Sequence, residues 1–284
     1  MKRAMKVGTR RKGRTIARGK RTQKAGPAPS STTLSERQVA TILKHLRSVG
    51  SVELKVIVPV TTHHATVASV GLDPVEAQPR QAYFFDTPDL ALSKAGLVVR
   101  ARRIQGGGAD TVIKLRPVDP TTIDPELRRS GSFKVELDAM PGGFVCSASL
   151  RGTCTGQDVL DVTSGVTPLR SLFSKEQLAF YDEHAAGISM ESLVTLGPTF
   201  LLKAKHDPRN FNRRITLEMW LYPDGSRILE LSTKCLPQEA FQTAAEFKAY
   251  LANCGIKVVA SDETKTRAAM EYFRSKLAAG QPEA

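Results

Sequence analysis

Charged residues recur two apart along several stretches of this chain: Glu53 and Lys55, Arg100 and Arg102, Lys114 and Arg116, Lys203 and Lys205. Mixed sets follow the same spacing in Lys134, Glu136 and Asp138, in Arg214, Thr216 and Glu218, and in Glu230, Ser232 and Lys234. Residues two apart share one face of a β-strand. Apolar residues fall between them, Phe133, Val135 and Leu137 in one stretch and Ile215, Leu217 and Met219 in another. For any one strand, the solvated side of an open sheet explains such a face. Taken together, however, the cations gather on some strands and the acids on others. Opposed like charges are destabilising, so such a cluster of cations is easiest to explain by a polyanion sitting on it. Segregated carboxylates beside them suit a divalent cation bridging phosphate oxygens.

The elements that must carry these residues can be read from period and turn chemistry. Ser35 and Gln38 make a capping box ahead of an apolar stripe, Val39, Ile42, Leu43 and Leu46, so the spacing predicts a helix over 35–48 closed by a left-handed Gly50. Eight strands are then predicted, at 52–58, 82–86, 97–104, 110–117, 132–138, 199–205, 213–221 and 226–232. Glycine-rich residues 105–109 and Pro223-Asp224-Gly225 supply hairpin turns, which argues for antiparallel pairing. A first turn centred on Gly107 would set Arg100 opposite Lys114. Residues from about 140 to 198 read as a helical insertion, in which Ser174 and Gln177 cap a helix, and helices over 239–253 and 263–278 close the chain. The fold class expected is α+β. Eight strands can close into a barrel, and with the charged face inward that barrel is a polar tunnel wrapped by helices.

Composition bounds the rest. The 41 Lys and Arg outnumber 28 acids, but residues 1–30 hold 11 of those cations and no acid, so the remaining excess is only +2. The chain thus divides into a polybasic, disordered tail over residues 1–32 and a nearly neutral domain over 33–280. The tail would favour nonspecific contact with nucleic acid or polyphosphate at low salt; the alternative is a leader without bearing on activity. No apolar run reaches the ~18 residues a membrane span needs, and no hydrophobic stretch follows the basic start, so a soluble cytoplasmic protein is expected. The four cysteines form no CxxC pair, and His63 and His64 are adjacent rather than at ligand spacing.

The stretches that carry the charges resemble the CYTH group, the triphosphate tunnel metalloenzymes that include adenylyl cyclases and thiamine triphosphatases. The resemblance lies in Glu53-Leu54-Lys55, in YFFDTPDLALSKAGLVVRAR from Tyr83 to Arg102, in TVIKLRP from Thr111, in SFKVELD from Ser132, and in LYPDGSRILELSTK from Leu221. It implies a tunnel in which Lys55, Arg100, Arg102, Lys114, Arg116, Lys203 and Arg214 contact phosphates. It further implies Mg2+ or Mn2+ on Glu53, Glu136, Glu218 and Glu230, with Glu53 and Lys55 catalytic and Asp138, Lys205 and Lys265 as further contacts. The activity implied is metal-dependent hydrolysis of inorganic tripolyphosphate or an organic triphosphate. Three acids of the family pattern are absent: Ser51, Lys134 and Ser232 stand in their places. An adenylyl cyclase of the same fold, or a noncatalytic polyphosphate- or nucleotide-binding protein, therefore stays open beside hydrolysis.

Overall fold

The structure, a computed structural model, describes residues 35–258 and 265–278; the polybasic tail lies outside the described residues. Along β1 (Ser51–Val58) every second residue is buried, Val52, Leu54, Val56 and Val58, while Glu53 and Lys55 point the other way. The same alternation marks most of β3 (Leu97–Ile104), whereas β2 (Gln78–Asp86), β4 (Ala109–Leu115) and β5 (Phe133–Met140) each have a stretch buried on both faces. The remaining strands are β6 (Gly143–Cys154), β7 (Val194–His206), β8 (Ile215–Leu221) and β9 (Arg227–Cys235). Hydrogen bonding follows the order β1-β5-β6-β4-β3-β2-β7-β8-β9 and returns to β1, so the sheet closes into a barrel.

Three expectations about the sheet need correction. The barrel has nine strands rather than eight, and the additional one, β6, opens the stretch expected to be helical. The sheet is mixed, because β1 and β5 run parallel, with Ser51 beside Glu136 and Glu53 beside Asp138. The hairpin between β3 and β4 pivots one residue earlier than Gly107: Gly106 takes the left-handed φ of 69°, and Ile104 donates to the Gly108 carbonyl. Arg100 consequently faces Val112, Lys114 faces Val98, and Arg102 faces Asp110.

Among the described residues eight α-helices surround the strands: α1 (Glu36–Leu46), α2 (His63–Val70), α3 (Ala91–Lys94), α4 (Pro125–Arg129), α5 (Gly156–Thr163), α6 (Lys175–His184), α7 (Ala240–Asn253) and α8 (Lys265–Ala278). The Ser35–Gln38 and Ser174–Gln177 capping boxes form as their spacing predicts, and Gly255, φ 69°, ends α7. Gly50 is not a left-handed terminator; α1 is capped by Arg47, and the Gly50 N–H donates to the Val135 carbonyl of β5.

The outward faces of the strands pack under the helices in one large core. A second, smaller core lies on the inward side. There Ala82 and Phe84 of β2, Leu201 of β7 and Trp220 of β8 meet Ala269, Met270 and Phe273 of α8. Phe84 is the cross-strand neighbour of Arg100, and Trp220 lies two residues beyond Glu218, so these apolar groups continue the charged face toward one end of the barrel. Helix α8 stops that end.

Candidate functional site

The inward-facing charges line a cavity of about 830 Å³, within the range of small-ligand sites. Its depth can be followed along the strands. On β7 the sequence Lys205, Lys203, Leu201 runs from mouth to floor, and from the turn before β8 so does Arg214, Thr216, Glu218, Trp220. Thr266 and Lys265, in the first turn of α8, belong to the lining. The lining holds eleven cations against four acids. Counting Asp110, Asp138 and Asp207, which pair with those cations, seven acids leave four positive charges over.

Most of the residues predicted from sequence meet here. Lys55 lies between Glu53 Oε2 at 3.1 Å and Asp138 Oδ1 at 3.0 Å. Asp138, fully buried, also faces Lys114 at 3.7 Å and Arg116 at 3.6 Å. Burial works to raise the Asp138 carboxyl, but Lys55, Lys114 and Arg116 outweigh it and hold the group down to about 2. Burial pushes Lys114 down to about 8; Asp138 opposes the shift, and Lys55 and Arg116 add to it. Lys203 donates to Glu218 Oε1 at 2.7 Å. Among the described residues Arg100 forms no ion pair, and its Nε is buried without a hydrogen-bond partner. Burial first, and then the neighbouring Arg102, push this guanidinium down to about 9, so it keeps its charge at neutral pH.

Two predicted contacts are less available than expected. Arg102 donates through Nε and Nη2 to both oxygens of Asp110, at 3.0 and 2.9 Å. Arg214 precedes β8 instead of lying in it, and its half-exposed guanidinium is held at 2.6 Å by Asp207. It stands at the mouth. Conversely, two lining cations were not predicted as site residues. Arg151 sits on β6, the strand missing from the sequence reading, and lies 3.5 Å from Glu136. Lys234 shares the face of Glu230, a signal that was visible, and reaches Glu136 at 2.5 Å and Glu53 at 3.7 Å.

The local chain conformation fixes this array. Asp86 at the end of β2 accepts N–H groups from Thr87, Leu92 and Ser93, which ties the turn to α3 and sets the start of β3. Gly96, φ +82°, then brings its carbonyl to the Arg116 N–H at 2.8 Å, where a Cβ would lie 2.8 Å from the Arg116 carbonyl oxygen.

The carboxylates expected to hold Mg2+ or Mn2+ are arranged differently from a ligand sphere. Among the described residues, no three or more His, Cys, Asp or Glu side chains group as metal ligands. Each carboxylate instead meets an ammonium group. Lys265 donates to Glu230 Oε1 at 2.8 Å and to Glu218 Oε2, and its ammonium lies 5.5 Å from the centre of the Trp220 ring. Burial opposes ionisation of Glu218, but Lys265 and Lys203 outweigh it and hold the carboxyl well below its usual range. The serines at two of the substituted positions complete the pattern. Ser51 donates to Glu136 at 3.2 Å, and Ser232 donates to Glu53 at 3.1 Å. As arranged, these donors do not fit a preformed divalent-metal site.

No family model matches the sequence, and no curated relative does. Solved structures do share its architecture. A proposed adenylyl cyclase from Hippeastrum, described as revealing a dominant triphosphatase activity, superposes with a TM-score of 0.55 at 15% identity, covering 82% of this chain and 97% of its own. A proposed adenylate cyclase from Bacillus halodurans gives 0.54 at 15% identity, over 77% of this chain and 98% of its own. At that identity the likeness is one of fold, a closed barrel of the CYTH type with surrounding helices.

Proposed function

We propose that the protein binds a triphosphate in the barrel and hydrolyses it. One observation carries this reading: among the described residues Arg100 is a half-buried cation that forms no ion pair and whose Nε is buried without a partner, inside a cavity whose charges sum to a positive excess. A chain of phosphates supplies what it lacks. The Hippeastrum neighbour's reported triphosphatase activity points the same way. Arg100, Lys114, Arg116 and Lys203 would hold the phosphates from opposite walls and offset charge building on the transferred group, which is where such reactions gain most of their rate. Glu53, oriented by Ser232 and Lys55, would receive the proton from attacking water.

A second reading, a noncatalytic polyphosphate- or nucleotide-binding protein, is favoured by the engagement of every expected metal carboxylate with lysine. One experiment separates these, and the cyclase as well. Purified protein is incubated with tripolyphosphate, ATP and thiamine triphosphate, with and without Mg2+ or Mn2+, while phosphate, pyrophosphate and cyclic AMP are followed. Phosphate release that is lost in Glu53→Gln is the expected result. Tight tripolyphosphate binding with no turnover under any condition sinks the hydrolase and leaves the binding protein; cyclic AMP and pyrophosphate from ATP identify a cyclase.

A further inference from the structure

Glu218 and Glu230 are direct cross-strand partners on β8 and β9, a juxtaposition that two like charges tolerate only with a cation between them. Here the cation is covalently part of the protein. Lys265 bridges the two carboxylates from α8. Its position is fixed from behind, because Ala269, Met270 and Phe273 of the same helix are buried in the inner core. Both oxygens of Glu218 are in use, Oε1 by Lys203 and Oε2 by Lys265 and the Trp220 indole N–H. The arrangement recurs twice. Lys234 spans Glu136 and Glu53, and Lys55 spans Glu53 and Asp138. Thus three ammonium groups each join two carboxylates, the task a divalent cation would perform, and with Lys203 on Glu218 and with Lys114 and Arg116 on Asp138 the five acids are balanced without one.

We infer that Lys265, Lys234 and Lys55 act as resident cations in place of a divalent metal, so that this tunnel takes its phosphate chain metal-free. The inference rests on the triphosphate reading and deepens it. A metal entering at Glu218 would have to displace an ammonium anchored by a packed helix, while the phosphates find a positive excess already present. Lys→Arg would not be equivalent at these places, since a compact ammonium fits between two carboxylates where a planar guanidinium does not.

Two measurements on the full chain test this. Calorimetric titration with tripolyphosphate in EDTA should give an affinity equal to that in Mg2+, or tighter, because Mg2+ sequesters the free anion. Titration with Mn2+ alone, followed by the paramagnetic resonance of the free ion, should show no binding to the wild type and a new site in Lys265→Met, which frees the Glu218–Glu230 pair. If that variant does not fold, Lys234→Ala, altered at a half-exposed side chain, is expected to gain Mn2+ binding at Glu53 and Glu136 instead. Mn2+ binding by the wild type without phosphate, or a tripolyphosphate affinity raised about tenfold or more by Mg2+, overturns the inference. Failure to bind tripolyphosphate in either buffer overturns the triphosphate reading instead, and the Mn2+ titration still decides the role of the lysines.

Discussion

Lys114 is a site residue whose charge responds to pH. Asp138 and, farther off, Glu136 support its protonation, while burial, Lys55 and Arg116 oppose it. With its folded pKa down to about 8 against an ordinary 10.5, it loses its proton over a range where the unfolded chain keeps one. Two opposite trends follow. Tripolyphosphate affinity falls as pH rises through about 8, whereas this group's contribution to the stability of the free protein rises between about 8 and 10.5. Titration calorimetry against pH checks the first trend, and Lys114→Arg, which holds its charge, should flatten it. Arg100→Ala should weaken tripolyphosphate binding by about 1.5–3 kcal/mol, the worth of hydrogen bonds to charged groups; an unchanged affinity would remove Arg100 from the site. Asp138→Asn leaves Lys55, Lys114 and Arg116 without their shared counterion, and a cost of about 3–5 kcal/mol is expected by urea unfolding. The charge pairs were legible in the sequence because spacing two is unambiguous. Their partners were less so: Asp110 pairs with Arg102 only through a register set by one turn residue.

At the scale of elements, what the sequence concealed has identifiable causes. Strand β6 escaped notice because Gly143–Cys154 is rich in small residues and carries one charge, Arg151, so that Ser147 and Ser149 occupy places where charges mark the other strands. The parallel alignment of β1 with β5 leaves no local trace, since each strand alternates in the same way whichever direction its neighbour runs. Turns with side-chain requirements were readable, as at Pro223-Asp224-Gly225, where Gly225 adopts φ 81° and Tyr222 donates to the Ser226 carbonyl. The turn between α3 and β3 makes a stringent test of how elements place the site. Gly96→Ala adds a Cβ at a left-handed position and 2.8 Å from the Arg116 carbonyl oxygen. A loss of about 1–3 kcal/mol in unfolding free energy is expected, together with weaker tripolyphosphate binding as Arg116 is displaced. Intact binding at reduced stability would separate the turn from the site.

For the whole molecule, the division of charge makes a prediction of its own. Residues 1–30 hold 11 cations and no acid, and the cavity holds the other set that matters. Deleting 1–30 should abolish salt-sensitive retention on immobilised nucleic acid while leaving tripolyphosphate affinity unchanged; a fall in that affinity would contradict the separation. The barrel itself has a further consequence that follows from α8. Inward apolar groups from five strands, Phe84, Val98, Leu201, Trp220 and Ile228, meet that helix and stopper one end. A linear polymer of phosphate held as proposed would then enter by a terminus rather than be threaded through. The protein would then count chain ends rather than phosphate units: at equal total phosphorus, a long polymer offers few sites to it and a short one many.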